Sequence, residues 1–275
     1  MARIPEPRII FITGTDTGVG KTVLTGLLLT HLRQTGRRAF ALKPFCSGGR
    51  ADAEILHALQ DGELSLDQIN PFYFEEPVAP LAAARLHRRK ISLDQTLKHI
   101  GQVYDLLLDR PAKISRANNE VIQHSNNPVR LDPILLIEGA GGLLAPLGQW
   151  FSAEDLIKTL RCEVIVTAAN RLGTLNHTAL TGRILQEAGA QRLRVVLMDC
   201  DGASPITQAS HRSSAKSKLA SRMNRLMLCE MLHPTAVFHL PHITKLAKIP
   251  GKTERRSLLI TCGKKLKKTL AQILQ

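Results

Sequence analysis

The residues best suited to chemistry lie in one short stretch, GTDTGVGKT, which runs from Gly14 to Thr22. It ends like a phosphate-binding loop, but that pattern has a glycine five residues before its last glycine, where Thr15 stands here. In such a loop backbone N–H groups hold phosphate oxygens, Lys21 reaches the outer phosphates and the Thr22 hydroxyl can bind Mg²⁺. The stretch therefore predicts a site for a nucleoside triphosphate.

Further polar residues follow other apolar stretches of the sequence that are predicted to be buried strands. Lys43 and Ser47 lie in LKPFCSGG, Asp52 begins the next helical pattern, and Glu138 ends the apolar run PILLIE. Parallel strands bring their carboxyl ends to one edge of the sheet, where ligands bind. Singly, each residue also fits a structural role, as a helix cap, a surface cation or a turn residue. Together they favour a site in which Thr22, Asp52 and Glu138 share Mg²⁺ with phosphate oxygens.

Strands and helices that would position these residues alternate along the chain. The run Arg8–Gly14 predicts a buried strand, and the helical spacing that follows the loop ends at Gly36. Ser92 is the predicted N-cap of a later helix. Further strands are predicted in RRAFALKPF, PILLIE, EVIVTAAN, RVVLM and AVFHLP, and a final helix in SLLITCGKKLKKTLAQIL. We therefore predict one α/β domain over residues 1–275, with a doubly wound, mostly parallel sheet covered by helices on both faces.

Two segments depart from this alternation. Residues 110–130 are polar and are predicted to form a surface excursion. The chain carries a net charge of +14, and from residue 201 onward 14 Lys or Arg stand against 3 acidic residues, for example in GKKLKKTLAQILQ. Such a cluster fits either nucleic acid or a solvated helix face. Because no aromatic residues interleave with the lysines, we favour the solvated face and expect no nucleic-acid partner.

Composition excludes several other classes of protein. With 275 residues, 44% hydrophobic and 22% charged, the chain is globular rather than disordered. No run approaches the about 20 apolar residues of a membrane-spanning helix, and the N-terminus lacks the features of a signal peptide. We therefore expect a cytoplasmic protein with no membrane partner. The scattered cysteines argue against a disulfide framework or a zinc site: Cys46, Cys162, Cys200, Cys229 and Cys262.

Five stretches, taken in order, resemble the dethiobiotin synthase family: GTDTGVGKT, LKPFCSGG, NPFYFEEPVAP, IEGAGGLLAPL and RLGTLNHTALT. The resemblance covers most of Ile9 to Leu185 and implies a P-loop NTPase-like fold. It also explains the missing glycine, since the family's Thr-Asp-Thr run faces a second substrate. The implied reaction joins CO₂ to 7,8-diaminopelargonate at the expense of ATP. A carbamate forms on one amine and attacks the γ-phosphate, and the neighbouring amine captures the mixed anhydride.

The resemblance implies a role for each site residue. Thr17 and Ser47 hold the carbamate, and Lys21 and Lys43 stabilise the charge that grows on it. Asn176 contacts diaminopelargonate across the interface of a homodimer. Mg²⁺ is held by Thr22, Asp52 and Glu138. The nucleotide is lined by Gly18, Val19, Gly20, Lys21, Thr22, Val23, Asp52, Glu138, Gly139, Ala140 and Gly141, with Asp199 and Pro241 on the side of the base.

One departure from the family bears on the base. The family commonly has Asn-Asp where this chain has Asp199-Cys200, and the Asn side chain reads adenine. An ionised Asp accepts hydrogen bonds only, so it can pair with the adenine amino group but cannot donate to a ring nitrogen. The substitution at 199 therefore removes one of the contacts by which the family prefers adenine. Pro241 matches the proline of the family's loop beside the adenine.

Three other functions each fit part of this sequence. A ParA-like DNA-partitioning ATPase would suit the basic C-terminal quarter, but its signature lysine is replaced by Asp16. An amidotransferase related to cobyric acid synthase needs a further glutaminase domain, for which the chain is expected to be too short. A non-catalytic paralogue would be expected to lose Lys21, Lys43 or Glu138, and all three are present.

Overall fold

The computed structural model describes residues 8–109, 132–199, 215–243 and 251–275. The excursion predicted at 110–130 and the residue Cys200 lie outside these ranges.

Within the described residues, eight strands make up two parallel sheets. The strands are β1 Arg8–Gly14, β2 Ala39–Leu42, β3 Phe45–Ser47, β4 Phe72–Phe74, β5 Ile134–Glu138, β6 Glu163–Ala169, β7 Gln191–Met198 and β8 Ala236–Leu240. The main sheet has six strands in the order β2-β5-β1-β6-β7-β8, and β3 pairs with β4 separately. Ile12 of β1 lies opposite Glu138 of β5 and Ile165 of β6. Strand β1 is buried between neighbours on both sides, as its unbroken apolar run predicts.

The helices begin and end largely where local signals predict. They are α1 Lys21–Gln34, α2 Ala51–Leu59, α3 Leu66–Ile69, α4 Pro80–Leu86, α5 Leu93–Asp109, α6 Ala153–Leu160, α7 Thr174–Glu187, α8 Ala215–Met231, α9 Lys252–Lys265 and α10 Lys267–Leu274. Ser92 caps α5 as predicted, since its Oγ accepts from the Gln95 N–H and Gln95 Oε1 accepts from the Ser92 N–H. Helix α1 ends just before Gly36, which has a φ of +77°.

The helices form two layers. Helix α1 contacts α2, α9 and α10, whereas α7 contacts α8. From β1 the chain passes to β2 at one edge of the main sheet. From β5 onward it passes through β6 and β7 to β8 at the opposite edge. Because crossovers between parallel strands are right-handed, these opposite directions place the two groups on opposite faces. The predicted doubly wound α/β fold is confirmed.

The structure confirms the predicted strand in RRAFALKPF, which ends at Leu42, two residues before Pro44, a residue with no N–H to donate. Other details differ from the prediction. The residues after Pro44 form β3, which was not predicted, and Phe45 stacks on Phe72 of β4 with ring centres 5.0 Å apart. Strand β4 and the helices α3, α4, α6 and α8 were not predicted either. The predicted final helix is two helices, α9 and α10, which meet at Leu266.

No helix within the described ranges combines the length and the apolar character that crossing a membrane requires.

Candidate functional site

The candidate site lies where strand order reverses, at the carboxyl end of β1 between β5 and β6. The loop after β1 turns through two glycines in the left-handed region, Gly18 with φ +71° and Gly20 with φ +97°. At Gly20 a Cβ would also lie 3.3 Å from the Met198 side chain. This position therefore combines an unusual φ with a close approach, and the loop needs glycine there.

Lys21 lies at the start of α1 and points back into the loop. Its Nζ donates to the carbonyl oxygens of Asp16 and Gly141, each at 2.7 Å. Burial, together with the positive charge of Lys43, lowers the pKa of Lys21 to about 8. The loop carbonyls thus hold the ammonium at the P-loop, where the motif predicts phosphate.

Lys43 joins three of the other predicted residues. Its Nζ lies 2.5 Å from Glu138 Oε1 and 3.2 Å from Asp52 Oδ2. Burial by itself lowers the pKa of Lys43, but Glu138 and Asp52 outweigh burial and the pKa is raised. Thr22 Oγ1 donates to the same Glu138 oxygen at 2.7 Å. The ends of β2 and β5 and the start of α1 therefore meet in one charged cluster.

This cluster has the donor atoms that Mg²⁺ binds. Glu138 is fully buried, and its Oε2 has no hydrogen-bond partner among the described residues, which is costly for a carboxylate. Asp52 is 48% exposed in its side chain and faces the same lysine. Two carboxylates and the Thr22 hydroxyl are hard oxygen ligands, and Mg²⁺ completes its shell with phosphate oxygens and water. The residues present fit this metal.

A cavity of about 400 Å³ extends away from this cluster. Many of the residues predicted to bind nucleotide line it: Gly18, Val19, Gly20, Thr22, Val23, Asp52, Asp199 and Pro241. Six other lining residues were not predicted from the sequence: Ile55, Met198, His242, Ile243, Arg255 and Leu259. These come from α2, from the ends of β7 and β8 and from α9, and no short motif connects them. Only the fold brings them together.

The remaining predicted residues do not lie on the cavity wall. Gly139 and Gly141 stand behind it, the first donating its N–H to the Ile12 carbonyl and the second accepting from Lys21. Ala140 lies between them and is half-buried. Thr17 is exposed on the loop, and Ser47 is half-buried at the end of β3.

Asn176 is the predicted residue that lies apart from the others. It is exposed in the first turn of α7. It is not among the residues that line the cavity.

Comparisons with known proteins agree with this geometry. A protein-family model described as an AAA domain matches residues 8–252. The chain is 32% identical over 192 residues to the ATP-dependent dethiobiotin synthetase BioD of Bacillus licheniformis, covering 68% of this chain and 71% of that one. It is 38% identical to BioD of an Anaeromyxobacter species, covering 69% and 76%. BioD of Methanocaldococcus jannaschii is 32% identical, covering 70% and 79%.

Solved structures with a similar course of the chain are more distant. The MinC:MinD cell division complex of Aquifex aeolicus aligns over 94% of this chain and 95% of that one, with 12% identity and a TM-score of 0.49. A similarity this distant gives no information on function. The curated relatives do give such information, because each is more than 30% identical to this chain, and this chain covers more than two thirds of each. The chain belongs to the family of ATP-dependent dethiobiotin synthetases.

Proposed function

We propose that this protein uses ATP to join CO₂ to 7,8-diaminopelargonate, forming dethiobiotin in biotin biosynthesis. Membership of the synthetase family supports the reaction class. The observation that carries the proposal is the contact of Lys43 and Thr22 with the buried Glu138 beside the phosphate-binding loop. This arrangement concentrates the cations and oxygen ligands that phosphoryl transfer to a carbamate requires.

The chain's own residues act in this reaction mainly by positioning charge. One amine of the substrate attacks CO₂ and loses a proton, giving a carbamate held by Thr17 and Ser47. The carbamate oxygen attacks the γ-phosphorus, and ADP leaves. Lys21 and Lys43 stabilise the negative charge that builds up on the transferring group. The second amine then attacks the carbonyl carbon, which closes the ring and releases phosphate.

Mg²⁺ belongs to this proposal through Thr22, Asp52 and Glu138. The unpartnered Oε2 of Glu138 supports a cation there, because a buried carboxylate oxygen is otherwise unsatisfied. The ion would neutralise part of the phosphate charge. Replacing Thr22 by Val should raise the Mg²⁺ concentration needed for nucleotide binding about tenfold, with binding in EDTA unchanged. Thr159→Val, at an exposed position of α6, is the matched control. Equal Mg²⁺ requirements in both variants would remove Thr22 from the metal site.

We also propose a homodimer in which Asn176 reaches the partner's diaminopelargonate. Leu180 lies one helical turn beyond Asn176, and Leu172 precedes the helix, and both side chains are exposed. Exposed apolar residues around a polar one are typical of an interface. Sedimentation that shows only monomer at micromolar concentration would contradict the shared site. A cytoplasmic location and one domain over residues 1–275 stay predictions.

The decisive experiment is an assay for ring closure. The purified protein is incubated with diaminopelargonate, bicarbonate and Mg·ATP, and the product is identified by mass. We expect dethiobiotin and ADP in equal amounts, and neither without CO₂. ATP hydrolysis that continues without diaminopelargonate, with no ring product in its presence, would overturn the proposed function.

A further inference from the structure

A second cavity lies between α4 and the loop after β5. Its volume is about 560 Å³, within the range of sites that bind small molecules. Its walls come from α4, from residues 89–91 and from residues 144–155. Among the described residues that line it, none is predicted to bind nucleotide, metal or substrate, and none lines the nucleotide cavity. The second cavity is therefore separate from the first.

Part of its wall is a tight turn, residues 147–151. Gly148 pairs with Phe151 across the turn, and the Gln149 N–H donates to the Ile91 carbonyl at 2.9 Å. Gly148 is buried, and a Cβ there would overlap the Phe151 ring and lie 2.5 Å from the Ile91 carbonyl oxygen. The close packing around Gly148 leaves no room for a side chain. The turn is therefore held in one place before any ligand arrives.

Trp150 belongs to this turn and lines the cavity in an unusual conformation. Its φ is +64°, in the left-handed region, which costs free energy for a bulky residue. The residue is also 90% exposed, although an indole is largely apolar. Backbone strain of this kind is often found at ligand sites. The turn thus presents a flat aromatic face at the cavity.

The charged residues leave the cavity positive. Arg85, Arg89 and Lys90 line it and are exposed, and none of them forms an ion pair within the described part of the chain. The acidic residue that lines it is Asp155, whose Oδ2 accepts from the N–H and the Oγ of Ser152 at the start of α6. Asp155 therefore has a structural partner already, whereas the three cations are left for a ligand.

Charge and shape together define that ligand. Unpaired Arg and Lys side chains bind a phosphate or carboxylate group through charge-assisted hydrogen bonds. The apolar wall, which includes Leu81 and Leu144, and the Trp150 ring fit a flat apolar body that stacks on the indole. An uncharged ligand would leave the cations without a partner, and inorganic phosphate would leave the apolar wall uncovered.

We propose that this cavity is a second ligand site, which takes a small organic anion with a flat ring. The ring stacks on Trp150, and the anionic group binds Arg85 and Lys90. The volume fits a small molecule rather than the surface of another protein. The site does not depend on the proposed ring closure, because its residues take no part in that chemistry.

The probe for this site is 2-naphthyl phosphate, which joins a flat ring to a dianion. Trp150 is the one tryptophan in the sequence, so a single indole N–H signal in the NMR spectrum reports this cavity. Saturating Mg·ADP is present to keep the probe out of the phosphate-binding loop. The indole signal should shift with a Kd of about 1 mM or below, which is usual for a ligand of this size.

The two halves of the probe serve as controls. 2-Naphthol and inorganic phosphate should each bind at least about tenfold more weakly than 2-naphthyl phosphate, since each lacks half of the contacts. An indole signal that stays unchanged up to about 10 mM probe would overturn the proposal. Equal affinity for 2-naphthol would exclude the cations, and equal affinity for phosphate would mean an adventitious ion only; either result overturns the proposal as well.

Variants assign the contacts by calorimetric titration in the same buffer. The double variant Arg85→Gln/Lys90→Gln and the single variant Trp150→Ala should each weaken binding of 2-naphthyl phosphate about tenfold. The control Lys98→Gln/Lys264→Gln removes the same charge at exposed positions that do not line the cavity, and should keep the wild-type Kd. Affinity that survives in both test variants would contradict the assigned site.

A second copy of the chain is the other occupant that an exposed tryptophan could have. Sedimentation separates the two, because Trp150→Ala should sediment like the wild type if the turn binds a small molecule. A shift of this variant to a smaller species would assign the turn to a subunit contact and overturn the proposal. The indole response is expected whether or not the protein forms dethiobiotin, so the ligand site and the proposed function can fail independently.

Discussion

The phosphate end of the cavity and its base end are built in different ways. At the phosphate end, Lys21, Thr22, Lys43 and Glu138 are linked directly or through the loop by short polar contacts, and Glu138 is fully buried. The base end is mainly apolar, and Asp199 is partly exposed there. Every nucleoside triphosphate presents the same phosphates but a different base. The comparison therefore separates residues that the chemistry requires from residues that can change the choice of nucleotide.

The two ends should also respond differently to substitution. At the phosphate end a lost partner leaves a buried charge uncompensated, which costs about 3–5 kcal/mol of stability. At the base end a partly exposed side chain can be exchanged at the cost of an exposed polar contact, on the order of 1 kcal/mol or less. Stability and activity should thus change together at the phosphate end and separately at the base end.

The largest effect is expected for Lys43. Replacing Lys43 by Met should lower turnover by about 10² to 10³-fold, the usual scale for losing one preorganised charge-stabilising group. It should also lower the free energy of unfolding by about 3–5 kcal/mol, since Glu138 is left buried without its cation. Nucleotide affinity should change little, because the loop N–H groups and Lys21 still bind phosphate. Steady-state kinetics and denaturant unfolding measure the two effects.

A second substitution tests the stability effect at this position. Adding Glu138→Gln to Lys43→Met removes the uncompensated charge and should restore most of the stability, whereas turnover should stay low because the proposed Mg²⁺ ligand Glu138 is lost as well. Lys158→Met, which removes the exposed ion pair of Lys158 with Glu154 on α6, is the control and should leave the free energy of unfolding nearly unchanged. Turnover that returns with stability in the double variant would make Lys43 purely structural.

The same contrast explains what the sequence could predict. The phosphate end was predictable because a strand, a loop and a helix start are contiguous from Arg8 to Thr22, and because Glu138 interrupts an apolar run. The rest of the cavity wall depends on residues such as Ile55 and Leu259, which are about two hundred positions apart in the sequence. Such residues look like ordinary core residues until the fold brings them to one cavity. Asp199 was predicted only through the resemblance to the family.

The fold, too, was predictable only in part. Hydrophobic runs and turn residues predicted six buried strands and their alternation with helices. The short strands β3 and β4 were missed because three residues are too few to show a period, and Phe45 is stabilised by stacking on Phe72. The break between α9 and α10 lies at Leu266, within a continuous helical pattern, and Gly263, three positions earlier, lies inside α9 rather than at its end.

A smaller effect is expected from the pH dependence of nucleotide binding. Lys21 has a pKa of about 8 in the protein without nucleotide, and bound phosphate should raise this pKa. Above pH 8 the free protein must therefore take up a proton to bind, so the affinity should fall as the pH rises. Between pH 7.5 and 9.5 the Kd for ADP should increase about tenfold.

The variant Lys21→Arg provides the control for this pH dependence, because a guanidinium stays protonated throughout the range. It should bind ADP with a nearly constant Kd between pH 7.5 and 9.5. Titrations in buffers with different ionisation enthalpies should show proton uptake by the wild type at pH 9 and none by the variant. A flat wild-type profile would mean that Lys21 does not lose its proton in the free site.

The smallest effect is expected far from both ends of the cavity, in the basic helices α9 and α10. Lys264, Lys265, Lys267 and Lys268 are exposed, whereas the apolar residues of α10 face the core. Replacing all four lysines by Gln should therefore change turnover and nucleotide affinity by less than about twofold, since exposed charges contribute little. The pKa of His31, lowered by burial and by Lys267, should rise slightly, as NMR titration would show.

The same variant tests the rival interpretation of the positive charge. A solvated helix face binds double-stranded DNA weakly, and any binding should be lost at moderate salt whether or not the four lysines are present. DNA binding that is strong at low salt, weakens steeply with salt and disappears in the four-lysine variant would instead assign this surface to nucleic acid. In that case the basic helices would have a function separate from that of the cavity. The difference between the phosphate end and the base end of the cavity would then describe only part of what the protein does.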